Sequence, residues 1–119
     1  LPDRIGRLTL DASVMDGRTL ACGAVAGLEH VRSPAAVARR VMEKTPHVLL
    51  VGDGAKWFAL QQGFPLEMPY TVEAIREWFE KHPDAKKGKP QPAPGGEHDH
   101  DTVTVLGRDR DGHLGGVCT

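Results

Sequence analysis

The stretch TLDASVMDGRTLACGAVAG, residues 9–27, contains two strand-like runs around a tight turn. Residues 9–14 alternate apolar and polar side chains, which is typical of a half-buried strand. Asp16-Gly17 is a favoured hairpin turn, and residues 19–27 form the second run. The Gly, Ala and Cys residues of the second run are small, so another element can pack close against it. The stretch therefore predicts an antiparallel β-hairpin with a closely packed second strand.

Capping and chain-breaking residues predict three helices and a further strand after this hairpin. They are expected as a helix over residues 33–44, a strand over residues 47–51, and helices over residues 55–62 and 71–81. The side chain of Ser33 is expected to accept a hydrogen bond from a free amide of the first helix. The strand is a continuous apolar run, and such runs are typical of strands buried on both faces.

The composition changes abruptly after the third predicted helix. Residues 84–99 are rich in Pro, Gly and Lys, which predicts a flexible linker without enough apolar surface to pack. Residues 102–106 and 113–119 then flank an Asp-Gly turn and predict a second hairpin. The chain begins without Met, and its last strand has no terminating signal. We therefore expect an α+β fold that is incomplete at both ends.

Charge and hydropathy exclude two classes of partner. The 119 residues carry 15 Lys and Arg against 16 Asp and Glu, a net charge of −1, so no strongly basic face is expected for nucleic acid. No apolar run approaches the roughly 20 residues of a membrane span. We therefore expect neither nucleic acid nor a membrane as a partner. Cys22 and Cys118 are expected to be small buried thiols, although a disulfide between them is also possible.

Three polar groups are candidates for binding sites, and each has a simpler interpretation. Residues 97–101 read Glu-His-Asp-His-Asp and could ligate a metal, but alternate residues of an extended chain point to opposite sides. A solvated loop is the favoured interpretation. Residues 52–54, Gly-Asp-Gly, could bind an anion at a helix N-terminus but lack the spacing of a nucleotide-binding motif, which favours a turn. Residues 109–112 resemble half of a calcium loop without its final Glu, so a hairpin turn is favoured there too.

The Asp101-Thr102 bond suggests a different kind of site. A Thr hydroxyl is a weak nucleophile unless a base lies beside it, and a free α-amine on the same residue can be that base. Such an amine titrates at about 7.7 to 8.0, so part of it is unprotonated near neutral pH. The peptide bond before Thr102 would have to be cleaved first. Asp101 could take the hydroxyl proton for that step and His100 could assist, although an ordinary strand start explains the same residues.

The residues around this bond belong to a set of motifs that extends over nearly the whole chain. The motifs occupy residues 9–12, 15–17, 23–26, 41–47, 51–55, 58–59, 100–103, 112, 116 and 118–119. With this set the chain resembles the glycosylasparaginases, which are N-terminal-nucleophile hydrolases. The family usually has Gly where this chain has Thr104. The related plant-type asparaginases typically have Gly-Thr-Val-Gly at the junction, so His100-Asp101 favours the glycosylasparaginases.

The resemblance implies a portion of an αββα four-layer sandwich that is made as an inactive precursor. The precursor would cleave itself between Asp101 and Thr102, so that residues 1–101 are the C-terminal part of an α subunit and residues 102–119 begin a β subunit. Thr102 would then be the catalytic nucleophile that hydrolyses the amide between N-acetylglucosamine and asparagine. Asp101 would be the autoprocessing base and His100 its helper.

The resemblance also implies which partners and cofactors to expect. The substrate would be a small molecule, either a glycosylated asparagine or another β-aspartyl compound, and no cofactor or metal would be needed. The αβ units would assemble into a homo-oligomer, and the substrate-binding residues are expected outside this sequence. An isoaspartyl peptidase or L-asparaginase of the same superfamily is the first alternative. A non-catalytic metal-binding or interaction fragment is the second.

Overall fold

The computed structural model describes residues 7–68, 70–83 and 102–119, and the fold in these ranges is α+β. In chain order the described elements are β1 (Leu10–Asp16), β2 (Ala21–Leu28), α1 (Pro34–Lys44), β3 (Leu49–Val51), α2 (Gly52–Gln61), α3 (Val72–Lys81), β4 (Thr104–Arg108) and β5 (Leu114–Cys118). The predicted order of strands and helices is confirmed. The predicted linker at residues 84–99 lies outside the described residues.

The described strands form one sheet in the order β3-β2-β1-β5-β4. β1 pairs antiparallel with both β2 and β5, so the two predicted hairpins form and join side by side. β3 pairs parallel with β2, the arrangement expected when a helix returns the chain to the start of a neighbouring strand. The starts of β1 and β4 and the ends of β2, β3 and β5 consequently lie at one end of the sheet. We call this the junction end, and we call the opposite end, with the turns at residues 17–20 and 109–113, the turn end.

The hydrophobic core lies between one face of the sheet and helices α1 and α2. Its buried side chains are small or aliphatic: Ala12, Val25, Leu28, Val31, Val37, Ala38, Val41, Ala55 and Ala59. Gly23 marks a close approach of β2 and α1, because a Cβ atom there would lie 2.3 Å from the carbonyl oxygen of Ala38. The prediction that small residues allow another element to pack close to the second strand is therefore confirmed.

The helix ends agree with the sequence except at the N-cap of α1 and at the start of α2, which begins at Gly52 rather than at residue 55. Thr71 caps α3, with its Oγ1 accepting a hydrogen bond from the Ala74 amide at 3.2 Å. Gly63 follows α2 with φ of +85°, the left-handed conformation of a C-terminal cap. Ser33 occupies the N-cap of α1 but makes no side-chain cap hydrogen bond, so that prediction is wrong. Its ψ of 66°, against 162° at Thr71, is outside the extended range that aims a capping side chain at the helix amides.

The sheet face that points away from α1 and α2 is apolar and exposed, and we call it the open face. Side chains alternate along each strand, so residues next to the buried Ala12 and Val25 point to this face. Four of its large apolar side chains are about half exposed or more: Met15 at 49%, Leu49 at 51%, Val51 at 58% and Leu106 at 80%.

Within the described part of the chain, the prediction that residues 47–51 form a strand buried on both faces is wrong. β3 has three residues and lies at the edge of the described sheet. Leu50 is half-buried on the helix side, whereas Leu49 and Val51 point to the open face and stay exposed. The apolar run therefore supplies the open face with side chains that the described part of the chain does not bury.

Both cysteines are free and half-buried, which is less burial than the sequence predicts. Cys22 lies on β2 and Cys118 on β5, and β1 runs between these strands. Two interstrand spacings of about 4.8 Å place them farther apart than the roughly 7 Å that a disulfide can span. The structure thus excludes the disulfide that the sequence left open.

Within the described ranges, no helix combines the length and the apolar character that a membrane span requires.

Candidate active site

Thr102 lies at the junction end, two residues before β4 begins at Thr104. Val103 exchanges two backbone hydrogen bonds with Thr119: the Val103 amide donates to the Thr119 carbonyl at 2.7 Å, and the Thr119 amide donates back at 3.0 Å. The strand ladder therefore fixes the residue directly after Thr102. Thr102 itself is exposed, so its hydroxyl is accessible to a reactant.

The strand register also shows which face of the sheet Thr102 occupies. Val105 pairs with Val117, and Val117 pairs with Val14 of β1, on the face that α1 covers. Val103 has the same parity as Val105, so Thr102 and Thr104 alternate to the open face. The candidate nucleophile thus lies on the exposed apolar side of the sheet.

The two predicted processing residues, His100 and Asp101, lie outside the described residues, as do residues 97–99. Thr102 is the predicted site residue that the structure places. The roles of Asp101 as a base and His100 as its helper, and any metal binding by residues 97–101, stay predictions.

Thr104 stands where the family usually has Gly, and the strand accommodates it. Thr104 pairs with Cys118 in the regular antiparallel ladder of β4 and β5. Its hydroxyl lies 3.2 Å from the Cys118 sulfur and donates to it. Among the described non-glycine residues, positive φ occurs at Leu20 and His30. Position 104 therefore does not require the conformational freedom of glycine in this structure.

A β-bulge lies two strands away from Thr102 at the same end of the sheet. Leu10 pairs with Leu28 and Ala12 with Val25, so Asp11 faces two residues of β2, Ala26 and Gly27. Gly27 has φ of +60°, and its amide donates to the Asp11 carboxylate at 2.7 Å. On the other side of β1, the Thr119 hydroxyl donates to the Asp11 carbonyl at 3.1 Å.

Sequence reasoning did not identify Asp11, Gly27 or Thr119 as residues near the site. Gly27 carried a usable signal, because a glycine at the end of a strand pattern is typical of a bulge. The contact between Thr119 and Asp11 had no such signal, since the two residues are 108 positions apart in sequence.

A small polar cavity of about 250 Å³ lies beside the bulge, lined by Arg7, Gly27, Glu29, Gly52, Asp53 and Lys56. Arg7 pairs with Glu29, and the Lys56 ammonium lies 2.6 Å from the Asp53 carboxylate. The hydrogen bond from Lys56 holds the pKa of Asp53 below its usual range. Residues 52–54 form the first turn of α2 rather than a separate loop. An ionised Asp53 at that helix N-terminus disfavours the anion site that the sequence raised as an alternative.

The turn end has a larger and more open cavity of about 690 Å³, partly lined by Asp109, Asp111 and His113. The possible ligand atoms of these three exposed residues lie within 4.8 Å of one another. The Asp109 carboxylate already accepts the amides of Asp111 and His113 at 2.9 and 2.8 Å, and the His113 ring approaches it at 3.0 Å. These contacts build the tight turn of the β4–β5 hairpin, which confirms the interpretation of residues 109–112 as a turn.

The comparisons with known proteins agree on one family. The family model described as asparaginase matches residues 1–118. N(4)-(β-N-acetylglucosaminyl)-L-asparaginase of Elizabethkingia miricola is 49% identical over 118 residues, which are 99% of this chain and 33% of that protein. A plant-type L-asparaginase of Pyrococcus horikoshii is 51% identical over 84 residues, 71% of this chain and 28% of that protein.

A third relative comes from an animal. A putative N(4)-(β-N-acetylglucosaminyl)-L-asparaginase of Drosophila yakuba is 42% identical over 110 residues, covering 78% of this chain and 28% of that protein. The chain thus spans about a third or less of the length of these relatives. The resemblance to glycosylasparaginases is confirmed by a match over nearly the whole chain, and the chain belongs to the asparaginase family.

Proposed function

We propose that the complete protein is a self-processing amidohydrolase that cleaves the amide between N-acetylglucosamine and asparagine. The observation that carries the proposal is the position of Thr102, which is exposed directly before a paired residue at the junction end. A relative that matches 99% of this chain at 49% identity carries the name of a glycosylasparaginase, which supports the substrate class.

Self-cleavage would convert the Asp101-Thr102 peptide bond into a free N-terminus in two balanced steps. The Thr102 Oγ1 attacks the Asp101 carbonyl carbon while the Asp101 carboxylate takes the hydroxyl proton and His100 assists. The C–N bond breaks, the nitrogen of Thr102 takes a proton, and an ester joins the two residues. Water hydrolyses that ester, which leaves a carboxylate on Asp101 and a free hydroxyl and α-amine on Thr102.

The mature residue then supplies both nucleophile and base. The α-amine of Thr102 takes the proton of its own hydroxyl, which attacks the side-chain amide carbonyl of the substrate. That proton passes to the leaving glycosylamine as the C–N bond breaks. Water hydrolyses the resulting β-aspartyl ester, releases aspartate and restores the Thr102 hydroxyl. An ordinary α-amine pKa of about 7.7 to 8.0 suits this exchange near neutral pH.

The open face supports the proposed αββα sandwich. Helices already cover one face of the sheet, and the other face presents Met15, Leu49, Val51 and Leu106 to solvent. A second sheet from the rest of the protein would bury this face, with its own helices on the far side. Thr102 would then lie between the two sheets. Residues 1–101 would belong to the α subunit and residues 102–119 to the β subunit, and αβ units would pair into a larger assembly.

A second candidate function is hydrolysis of isoaspartyl peptides or asparagine. The plant-type L-asparaginase that is 51% identical over 71% of this chain supports it. The His100-Asp101 junction and the longer match to the Elizabethkingia miricola protein favour glycosylated asparagine. A non-catalytic metal-binding or interaction role is the third hypothesis, and lack of self-cleavage would support it.

The test uses the complete protein that contains this chain. Intact-mass measurement after incubation should show cleavage between Asp101 and Thr102, and Thr102→Ala should abolish both this cleavage and hydrolysis of glycosylated asparagine. Thr104→Ala is the matched control, because Thr104 lies on the same face two residues away and should leave cleavage in place. Hydrolysis of glycosylated asparagine, a β-aspartyl dipeptide and asparagine would be compared at equal concentrations. Activity retained by Thr102→Ala would remove the nucleophile from the proposal.

A further inference from the structure

Thr119 is held from both sides at the junction end of the sheet. On one side it exchanges backbone hydrogen bonds of 2.7 and 3.0 Å with Val103, which directly follows Thr102. On the other side its hydroxyl donates to the Asp11 carbonyl at 3.1 Å. The paired register of β1 and β5 ends at Ser13 and Cys118. The side-chain hydrogen bond therefore extends the attachment of β5 beyond the regular ladder, toward the residues that support Thr102.

The bulge in β2 fixes the position of the Asp11 carbonyl. Asp11 faces Ala26 and Gly27 together, and its carboxylate accepts the Gly27 amide at 2.7 Å. This amide belongs to a residue with φ of +60°, whose N–H is turned out of a regular strand. The Asp11 carboxylate thus accepts the amide of Gly27 in the bulge, and the Asp11 backbone carbonyl accepts the Thr119 hydroxyl on the other side.

We propose that Asp11 is a positioning residue for Thr102, acting through Gly27 and Thr119; this inference rests on the proposed nucleophilic role of Thr102. A continuous series of hydrogen bonds runs from Gly27 through Asp11 and Thr119 to Val103. It crosses from β2 to β4 and ends at the residue bonded to Thr102. The series restricts where the Thr102 hydroxyl and nitrogen stand relative to a reacting carbonyl.

The geometry separates this role from direct catalysis. β5 lies between β1 and β4, so Asp11 is two interstrand spacings, roughly 9 to 10 Å, from the strand that Thr102 precedes. At that separation its carboxylate reaches no reacting atom at Thr102. Its hydrogen-bond acceptor, rather than its charge, is the property that the series uses.

The first test replaces Asp11 in the complete protein and measures the rate of cleavage before Thr102. Asp11→Ala should slow cleavage on the order of 10- to 100-fold, the scale of a misplacement of about 1 Å. Asp11→Asn keeps an acceptor for the Gly27 amide, so the misplacement should be small and the cleavage rate should stay within about threefold of wild type. Equal slowing by Asp11→Asn and Asp11→Ala would show that the charge acts and would overturn the positioning role.

Asp16 provides the matched control on the same strand. Its carboxylate also accepts a backbone amide, from Arg18 at 2.9 Å, but at the turn end. Asp16→Ala should lower the melting temperature about as much as Asp11→Ala and leave the cleavage rate unchanged. A cleavage defect that follows melting temperature across both variants would mean that Asp11 is merely structural.

The second test addresses Thr119, which keeps the inference testable if Asp11→Ala does not fold. Thr119→Val preserves the shape but removes the donor, and it should slow cleavage as Asp11→Ala does. In the mature enzyme it should lower kcat while KM changes little, because the substrate site is not altered. The double variant should be no slower than the slower single variant, since both break one series of contacts. Additive defects would contradict the shared series.

Two failures are distinguishable. A wild-type protein that is never cleaved before Thr102 would defeat the proposed function itself. Wild-type cleavage with an unchanged rate in both Asp11→Ala and Thr119→Val, while Thr102→Ala stays uncleaved, would defeat the positioning role alone.

Discussion

At the turn end the Asp109 carboxylate accepts amides two and four residues along the chain, whereas at the junction end Asp11 accepts that of Gly27, sixteen residues away. At both ends an Asp carboxylate accepts a backbone amide and so holds the local backbone in place. The contacts of Asp109 can form within one hairpin, whereas the contacts of Asp11 with Gly27 and Thr119 require β1, β2 and β5 together. Local turn contacts thus shape the hairpins, and non-local contacts shape the candidate site.

The largest difference is expected between leucines at the two ends. Leu28 closes β2 at the junction end and is fully buried, whereas Leu20 lies in the turn before β2 at the turn end and is 70% exposed. Leu28→Ala should cost about 3–5 kcal/mol through lost burial and the cavity left behind. Leu20→Ala should cost less than about 1 kcal/mol. Denaturant unfolding of the complete protein measures both, and equal losses would contradict the difference in packing.

Glycines at the two ends should differ in the cause of their sensitivity. A Cβ atom at Gly17 would lie 2.4 Å from the Leu114 carbonyl oxygen, so Gly17→Ala must push β5 away and should cost about 2–3 kcal/mol. At Gly27 the nearest atom would be 3.8 Å away, but φ is +60°. Gly27→Ala should therefore cost about 1–2 kcal/mol through backbone strain.

The same unfolding assay measures both glycine variants. A larger loss for Gly27→Ala than for Gly17→Ala would mean that the bulge conformation, rather than the close contact at the turn, limits stability.

A smaller effect is expected from Thr19 in the turn between β1 and β2. Its hydroxyl donates to the Asp16 carboxylate at 2.9 Å and accepts the Ala21 amide at 3.3 Å. Because these groups are exposed and water can replace the hydroxyl, Thr19→Ala should cost about 0.5–1 kcal/mol. Thermal unfolding against wild type would show it, and a loss above that of Gly27→Ala would contradict the replacement of this hydroxyl by water.

The smallest effect concerns pH. The backbone amide of His113, followed by its ring, holds the pKa of Asp109 below its ordinary value of 3.8. A lowered folded-state pKa gives stability that is present above that ordinary value and is lost as the pH falls through the folded-state pKa. NMR titration of the carboxyl carbon should give a midpoint below 3.8 for Asp109. A midpoint at or above 3.8 would show that the turn contacts do not persist in solution.

Sequence reasoning predicted the elements well because their signals are local. Asp-Gly turns, helix breakers and alternating side chains each act within a few residues, and they placed both hairpins and all the described helices. The pairing of β1 with β5 had no local signal, since these strands come from opposite ends of the chain. The error at β3 has a similar origin, because burial of an apolar run depends on which element covers it.

The same contrast between local and non-local signals applies to the candidate site. Thr102 could be proposed from its neighbours and from family motifs, because both are properties of the sequence. The series from Gly27 to Val103 depends on the register of several strands, and one bulge changes that register. A site residue can therefore be predicted before the contacts that hold it in place.

The paired residues Val103 and Thr119 have a consequence for a chain break before Thr102. The β4–β5 hairpin is joined to β1 by its own ladder, which does not include the Asp101-Thr102 bond. Ordering one backbone residue costs about 1–2 kcal/mol of conformational entropy. Val103 loses this conformational entropy when the uncut chain folds. A terminus created at Thr102 would thus be ordered from its second residue onward at the moment it forms.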